Sequence, residues 1–409
     1  MPSASRVRVI RLFAIAAAVS IALVGCTTKP VAPPPVAPPA PQTPAGHPLN
    51  ENKPEYLTMP NLPDGHVPVR IGVILPFSSG TPAVKALAAA MLKSAQMALY
   101  ESGNRDIVLM TADEGSTPTE AAAAADRLLH QGAEIIVGPL YGPSVRAMAE
   151  ETRDRGVPLL AFSTDKSVAG DGVYLLGVLP EGDTDRVVDY ALGHGKHKFA
   201  ALVPSTAFGD VTLNEFKKAV ADGHGELGQV ERFDGTVDGV LAPATRIAKT
   251  DADALFVPSG GAVLRAAAPT LGTGGLDPAK VKILGTGQWN DPANVEQPTL
   301  SGAWFAAPDP KNDAAFTARY LRVFGSAPPP LAALAYDAVS LVAVLAKGEP
   351  YHRFTAAALS DPNGFSGAYG IFRFAPDGTA ERGLAILSVA PDGFHLADPA
   401  PTTFVKPGS

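Results

Sequence analysis

The chain has 409 residues, 46% of them hydrophobic, and carries 33 basic against 40 acidic residues for a net charge of −7. That is ample for a buried core without metals or disulfides, and the acidic balance excludes a general nucleic-acid binder, which needs a basic surface. One cysteine excludes an intrachain disulfide and a cysteine-based zinc site, and 40 prolines, about twice the usual share, imply a non-globular segment.

Arg6, Arg8 and Arg11 precede an apolar run from Leu12 to Val24. A basic start with a short apolar stretch reads as a secretory signal, and the run is too short for a membrane-spanning helix. It ends in Leu23-Val24-Gly25-Cys26, which resembles the bacterial lipobox. The resemblance implies a signal peptide at 1–25, cleavage before Cys26 and a lipid anchor on Cys26. An ordinary cleaved signal with a stray cysteine is the competing explanation. Thr27 stands where an Asp would favour the inner membrane, so an outer-membrane lipoprotein facing the periplasm is expected. Residues 30–68 hold thirteen prolines, nine of them in Pro30–Pro48, with no helical or strand periodicity. Residues 26–68 are therefore expected to form a disordered Pro-rich tether, extended at roughly 3.1 Å per residue where it is polyproline-like.

From Val69 short β-rich runs alternate with amphipathic or Ala-rich ones. Strands are expected at 69–75, 106–112, 134–137, 158–161, 198–203, 226–233, 252–257 and 281–284. Helices are expected at 81–101, 117–130, 142–154, 183–192 and 211–221. Such spacing is that of βαβ units with right-handed crossovers. Ile71–Leu75 and Ile135–Val137 are continuously apolar, as parallel strands buried on both faces should be. Several strands end in Gly or Pro and open a helix, as at Val137-Gly138-Pro139 and Val257-Pro258. In doubly wound sheets the ligand crevice lies at these carboxyl ends.

Ile71-Gly72-Val73-Ile74-Leu75-Pro76, Ile136-Val137-Gly138-Pro139-Leu140, Phe208-Gly209-Asp210, Ala335-Tyr336-Asp337-Ala338-Val339 and the segment Gly367–Phe374 occur in the order seen in type I periplasmic binding proteins of the leucine/isoleucine/valine class. The chain resembles that family from Val69 to about Phe394. The resemblance implies an α/β fold of two Rossmann-like lobes with parallel sheets joined by three crossovers. Lobe one is expected at 69–179 and 306–368, lobe two at 180–305 and 369–395, and a tail at 396–409. Residues after the strand ends are candidates for the ligand cleft: Phe77, Ser78, Tyr141, Ser163, Asp165, Phe208 and Trp289. For Phe77 and Trp289 the alternative is packing at the lobe interface.

In the amino-acid receptors of that family, a hydroxyl residue after the third strand holds the ligand carboxylate at a helix N-terminus. Gly142 stands at that position, and Asp165 stands where a Thr is usual. Gln288 lies in the stretch where a Glu pairs the ligand ammonium. A zwitterion in a desolvated cleft needs both charges met, so free branched-chain amino acids are not expected ligands.

A second family shares the fold. Leu179-Pro180-Glu181-Gly182-Asp183 with Arg186, and Ala201-Leu202-Val203-Pro204 before Phe208, are similar to segments of the lipoprotein activators of penicillin-binding proteins. The lipobox and tether fit such a role, although no helical-repeat domain precedes the binding-protein segment. The favoured expectation is therefore a non-catalytic envelope lipoprotein activating a penicillin-binding protein in peptidoglycan synthesis, with solute reception for an importer or sensor as the alternative. An envelope spacer is a third possibility. Catalytic signatures are weak: Ser163-Thr164-Asp165-Lys166 lacks the companion motifs of the serine enzymes it matches, and no phosphate-binding Gly-x-x-x-x-Gly-Lys occurs. No cofactor and no metal are expected.

Overall fold

A computed structural model describes residues 56–58, 68–350 and 352–404. The expected signal peptide, Cys26 and most of the expected Pro-rich tether lie outside the described residues. Within the tether expected at 26–68, however, Tyr56–Thr58 forms strand β1. An aromatic, an aliphatic and a β-branched residue between Pro54 and Pro60 give just enough proline-free chain to pair with a sheet edge.

The first lobe continues with β2 (Val69–Leu75), α1 (Pro82–Ser102), β3 (Ile107–Asp113), α2 (Pro118–His130), β4 (Ile135–Val137), α3 (Gly142–Asp154), β5 (Leu159–Ala161) and β6 (Val173–Leu175). These strands form one sheet in the order β1-β3-β2-β4-β5-β6, parallel except for β1. The chain then crosses into α4 (Pro180–Gly193), β7 (Lys198–Pro204), α5 (Ala207–Asp222), β8 (Glu226–Phe233), α6 (Leu241–Ile247), β9 (Ala254–Phe256), α7 (Gly261–Thr273), β10 (Lys282–Gly285) and β11 (Trp304–Ala307). It returns through α8 (Pro310–Phe324), α9 (Ala332–Leu345), the short α10 (Ala356–Leu359), β12 (Phe365–Gly367), β13 (Gly370–Phe374) and β14 (Ala380–Arg382). It ends with β15 (Ala385–Ala390) and β16 (Gly393–Asp398). The second sheet runs β16-β15-β11-β10-β9-β7-β8.

Proline marks where helices begin. Pro82, Pro118, Pro180 and Pro310 each occupy the first helical position, where no backbone N–H is needed. Thr117 caps α2 by accepting the Glu120 N–H at 3.2 Å, and Glu120 returns the bond to the Thr117 N–H at 3.0 Å. The early start of α4 at Pro180, against the expected Asp183, follows from the same rule.

Helix α9 is buried on nearly every face, packing with α1 against the β2–β4 side of the first sheet. Each fully buried Leu or Val there contributes about 1.5–3 kcal/mol relative to exposure. Phe372 and Phe374 of β13 join the same core, with Phe374 5.2 Å from the Tyr174 ring.

That placement moves two expected boundaries. Strands β12, β13 and β14 form a separate three-stranded sheet packed on the first lobe, whereas residues from 369 onward were expected in the second. Only β15 and β16 return to the second sheet, where β15 pairs antiparallel with β11. The earlier crossing also comes later than expected, because Phe305 to Ala307 still pair with β15. The expected tail is structured as well: β16 reaches Asp398, and Arg373 lies 4.7 Å over the Phe404 ring.

Candidate ligand cleft

The carboxyl ends of β2, β3, β4 and β5 bring one set of loops together on the first lobe. Gly138, directly after β4, has φ +100°, and a Cβ there would fall 2.0 Å from the Ile74 carbonyl oxygen. Only glycine fits that approach, and it turns the chain from β4 toward α3.

The start of α3 is occupied from within. Glu114, 1% exposed, accepts the N–H of Leu140 at 2.9 Å through Oε2 and that of Tyr141 at 3.2 Å through Oε1. Burial pushes its carboxyl up, against the hydrogen bonds from Leu140, Ser144 and Tyr141. Its neighbour Asp113 accepts from the N–H of Ser78 and Gly115, which outweigh burial and hold that carboxyl below its usual range. Glu114 was not among the expected site residues. The signal for it is an acidic pair at the end of a strand, followed by a helix start.

Ser163 and Asp165 come against the same helix end. A Cβ on Gly142 would lie 3.0 Å from Asp165 Oδ2 and 3.3 Å from Ser163 Oγ, so glycine at 142 leaves room for the Asp165 carboxylate. Ser163 Oγ accepts the Asp165 N–H at 3.0 Å. Asp165 Oδ1 accepts from Ser167 Oγ at 2.6 Å and Ser167 N at 3.0 Å, and Arg146 stands 3.6 Å from Oδ2. The Ser167 hydroxyl, with the Arg146 charge, holds the carboxyl below its usual range. Tyr141 is 41% exposed beside them, Ser78 is exposed, and Phe77 is half-buried against the first-lobe core. On the second lobe Phe208 is half-buried in the first turn of α5, and Gln288 is exposed in the turn after β10.

Trp289 does not line an open cleft. It is fully buried in the second-lobe core, its Nε1 donating to the carbonyls of Val257 at 3.1 Å and Ser259 at 3.0 Å. Gly285 leaves space for the indole to fold back: a Cβ there would lie 2.2 Å from the ring. A buried indole N–H needs an acceptor, and the loop after β9 offers two.

The chain belongs to the periplasmic binding proteins. The model of that family matches residues 68–393, nearly the whole described chain. A putative branched-chain amino acid transporter structure from Rhodospirillum rubrum shares the fold with a TM-score of 0.67 and 18% identity, over 80% of this chain and 99% of that one. A solute binding protein of an ABC transporter from Rhodopseudomonas palustris, solved with 3,4-dihydroxybenzoic acid, has a TM-score of 0.58 and 19% identity, over 84% and 99% of the two chains. An uncharacterized protein of Rickettsia prowazekii is 21% identical over 136 residues, 33% of this chain. The match spans 36%, about a third, of that relative's length. As for other periplasmic binding proteins, an envelope location follows from the family.

The crossovers of this binding-protein fold carry a buried charge group that sequence reasoning missed. Arg382, at the end of β14, donates to Asp337 Oδ2 at 3.1 Å and to the Leu176 carbonyl at 2.9 Å. Asp337 is fully buried and also accepts the Ala368 N–H at 2.5 Å. Asp183, in the first turn of α4, accepts the Gly287 N–H at 2.9 Å. Burial raises the Asp183 carboxyl to about 7 despite that bond and the Arg382 charge. The unfolded chain releases this proton near the ordinary value of 3.8, whereas the folded chain keeps it to about 7. Stability from Asp183 is therefore full below about pH 4, is lost as pH rises to about 7, and is level above. Asp183→Asn is expected to melt higher than wild type at pH 8 and level with it at pH 4. Thermal unfolding across that range checks it, and a constant difference between the two proteins would refute the assignment.

Proposed function

We propose that this chain is a non-catalytic solute receptor of an importer or sensor, taking a small molecule between its lobes. Its family match and the loops gathered at the strand ends support this role. That support exceeds what favours activation of a penicillin-binding protein, which rests on the lipobox, the tether and the crossover segment around Leu179 and Arg186.

We propose further that the ligand is held by stacking and hydrogen bonds more than by charge. The carrying observation is the engagement of the α3 start by Glu114, with Asp165 beside Gly142. An incoming carboxylate would meet two acids there, and Gln288 offers no charge to an ammonium. Phe77, Tyr141 and Phe208 supply ring faces, Ser78 supplies an exposed hydroxyl, and the Ser163 hydroxyl, 4% exposed, is already engaged by the Asp165 N–H, a lining suited to a neutral polar ligand. Calorimetry with leucine, isoleucine and valine is expected to give no binding at micromolar concentrations. Micromolar binding of any of the three, lost in Asp165→Ala, would restore an amino-acid receptor.

An anchor at Cys26 places the receptor at the outer membrane in this proposal, with the Pro-rich segment as its tether. Cys26→Ala is expected to move the protein from the membrane pellet to the soluble periplasmic fraction. Continued sedimentation with outer membrane would overturn the anchor.

A further inference from the structure

The second crossover carries a cavity beside the turn after β10. It measures about 350 Å³ and is lined from both lobes: Asn290, Leu387 and Phe394 belong to the second, Asp313 and Thr317 of α8 to the first, and Pro308 to the crossing between them. That volume is at the small end of ligand pockets, roughly 300–1,000 Å³. None of the candidate cleft residues lines it.

Its chemistry is uneven. Phe394 and Pro308 give a small apolar wall, with Phe394 fixed by an edge contact to Phe305 at 5.1 Å, while Leu387 is buried in the second-lobe core. Asn290 and Thr317 add neutral polar groups, and Asp313 is the only charged residue in the lining. Among the described residues the Asp313 carboxylate accepts no hydrogen bond and forms no ion pair. Burial alone raises its pKa, with no cation to offset it. A half-buried carboxylate facing an apolar wall lacks a partner that a cationic donor would supply at favourable energy.

We infer that this cavity is a second binding site, taking a small amphipathic ammonium whose charge meets Asp313 and whose apolar body lies on Phe394.

The test uses the full chain and 2-phenylethylamine as probe, with 2-phenylethanol and phenylacetate as neutral and anionic controls, followed by calorimetry. The amine is expected to bind at least about tenfold more tightly than either control, the ratio expected from one charge-assisted contact. Asp313→Asn is expected to remove that preference, and Asp313→Glu to restore part of it. Phe394→Ala is expected to weaken the amine and the alcohol alike. Unchanged melting of the variants separates lost binding from lost folding. Equal binding of the three probes, no binding of the amine at millimolar concentration, or amine binding indifferent to Asp313→Asn and Phe394→Ala would each overturn the site.

Discussion

Arg382→Met is expected to destabilise the protein by about 3–5 kcal/mol, the usual consequence of removing one partner from a buried ion pair. Asp337, fully buried, would lose its cation, and the Leu176 carbonyl would lose a donor. Methionine supplies an unbranched apolar side chain in place of the arginine stem, and it also removes the guanidinium whose carbon lies 5.4 Å over the Phe372 ring. The loss therefore reports charge and hydrogen bonding more than packing. Adding Asp337→Asn to Arg382→Met should recover part of the loss, because the stranded carboxylate is then neutral while the Ala368 N–H still has an acceptor. Denaturant unfolding of the two single variants and the double variant measures the coupling. A single-variant loss below about 1 kcal/mol, the range of exposed pairs, would show that the crossover does not depend on this group.

Trp289→Ala is expected to cost about 3–5 kcal/mol, the range for deleting a buried aromatic. The indole packs near Phe305 and over Gly285, and its removal would leave a cavity that the β10 backbone cannot close. Trp289→Phe fills much of that volume and removes the N–H from the Val257 and Ser259 carbonyls, so it should cost less. Unfolding midpoints check both. A Trp289→Ala variant with wild-type stability and altered ligand affinity would return Trp289 to the cleft lining.

The alternation of apolar and amphipathic runs was enough to place the elements around Gly138 and Phe208 in sequence. Helix α3 at Gly142–Asp154 and strand β8 at Glu226–Phe233 match their expected bounds, because each has clear local punctuation. The residues gathered at the α3 start were half legible. Gly142, Ser163 and Asp165 follow strand ends and so could be named in advance. The Glu114 carboxylate enters their environment from β3, and no spacing along the chain measures the distance between Glu114 Oε2 and the Leu140 N–H.

Resemblance to the binding-protein family implied the two lobes; alone, the sequence determined the alternating α/β class and the position of the loops at strand ends. These depend on hydrophobic period and backbone chemistry, which act over a few residues. Tertiary structure decided which lobe received β12–β14, where Trp289 pointed, and that Asp183, Arg382 and Asp337 gather at the crossovers. Each of those outcomes depends on partners far apart in the chain. Arg382 bonds a carbonyl 206 residues away, and Trp289 a carbonyl 32 residues away. Burial selects such pairings only after the lobes pack, because a polar atom removed from water must take whichever partner the fold has brought within reach.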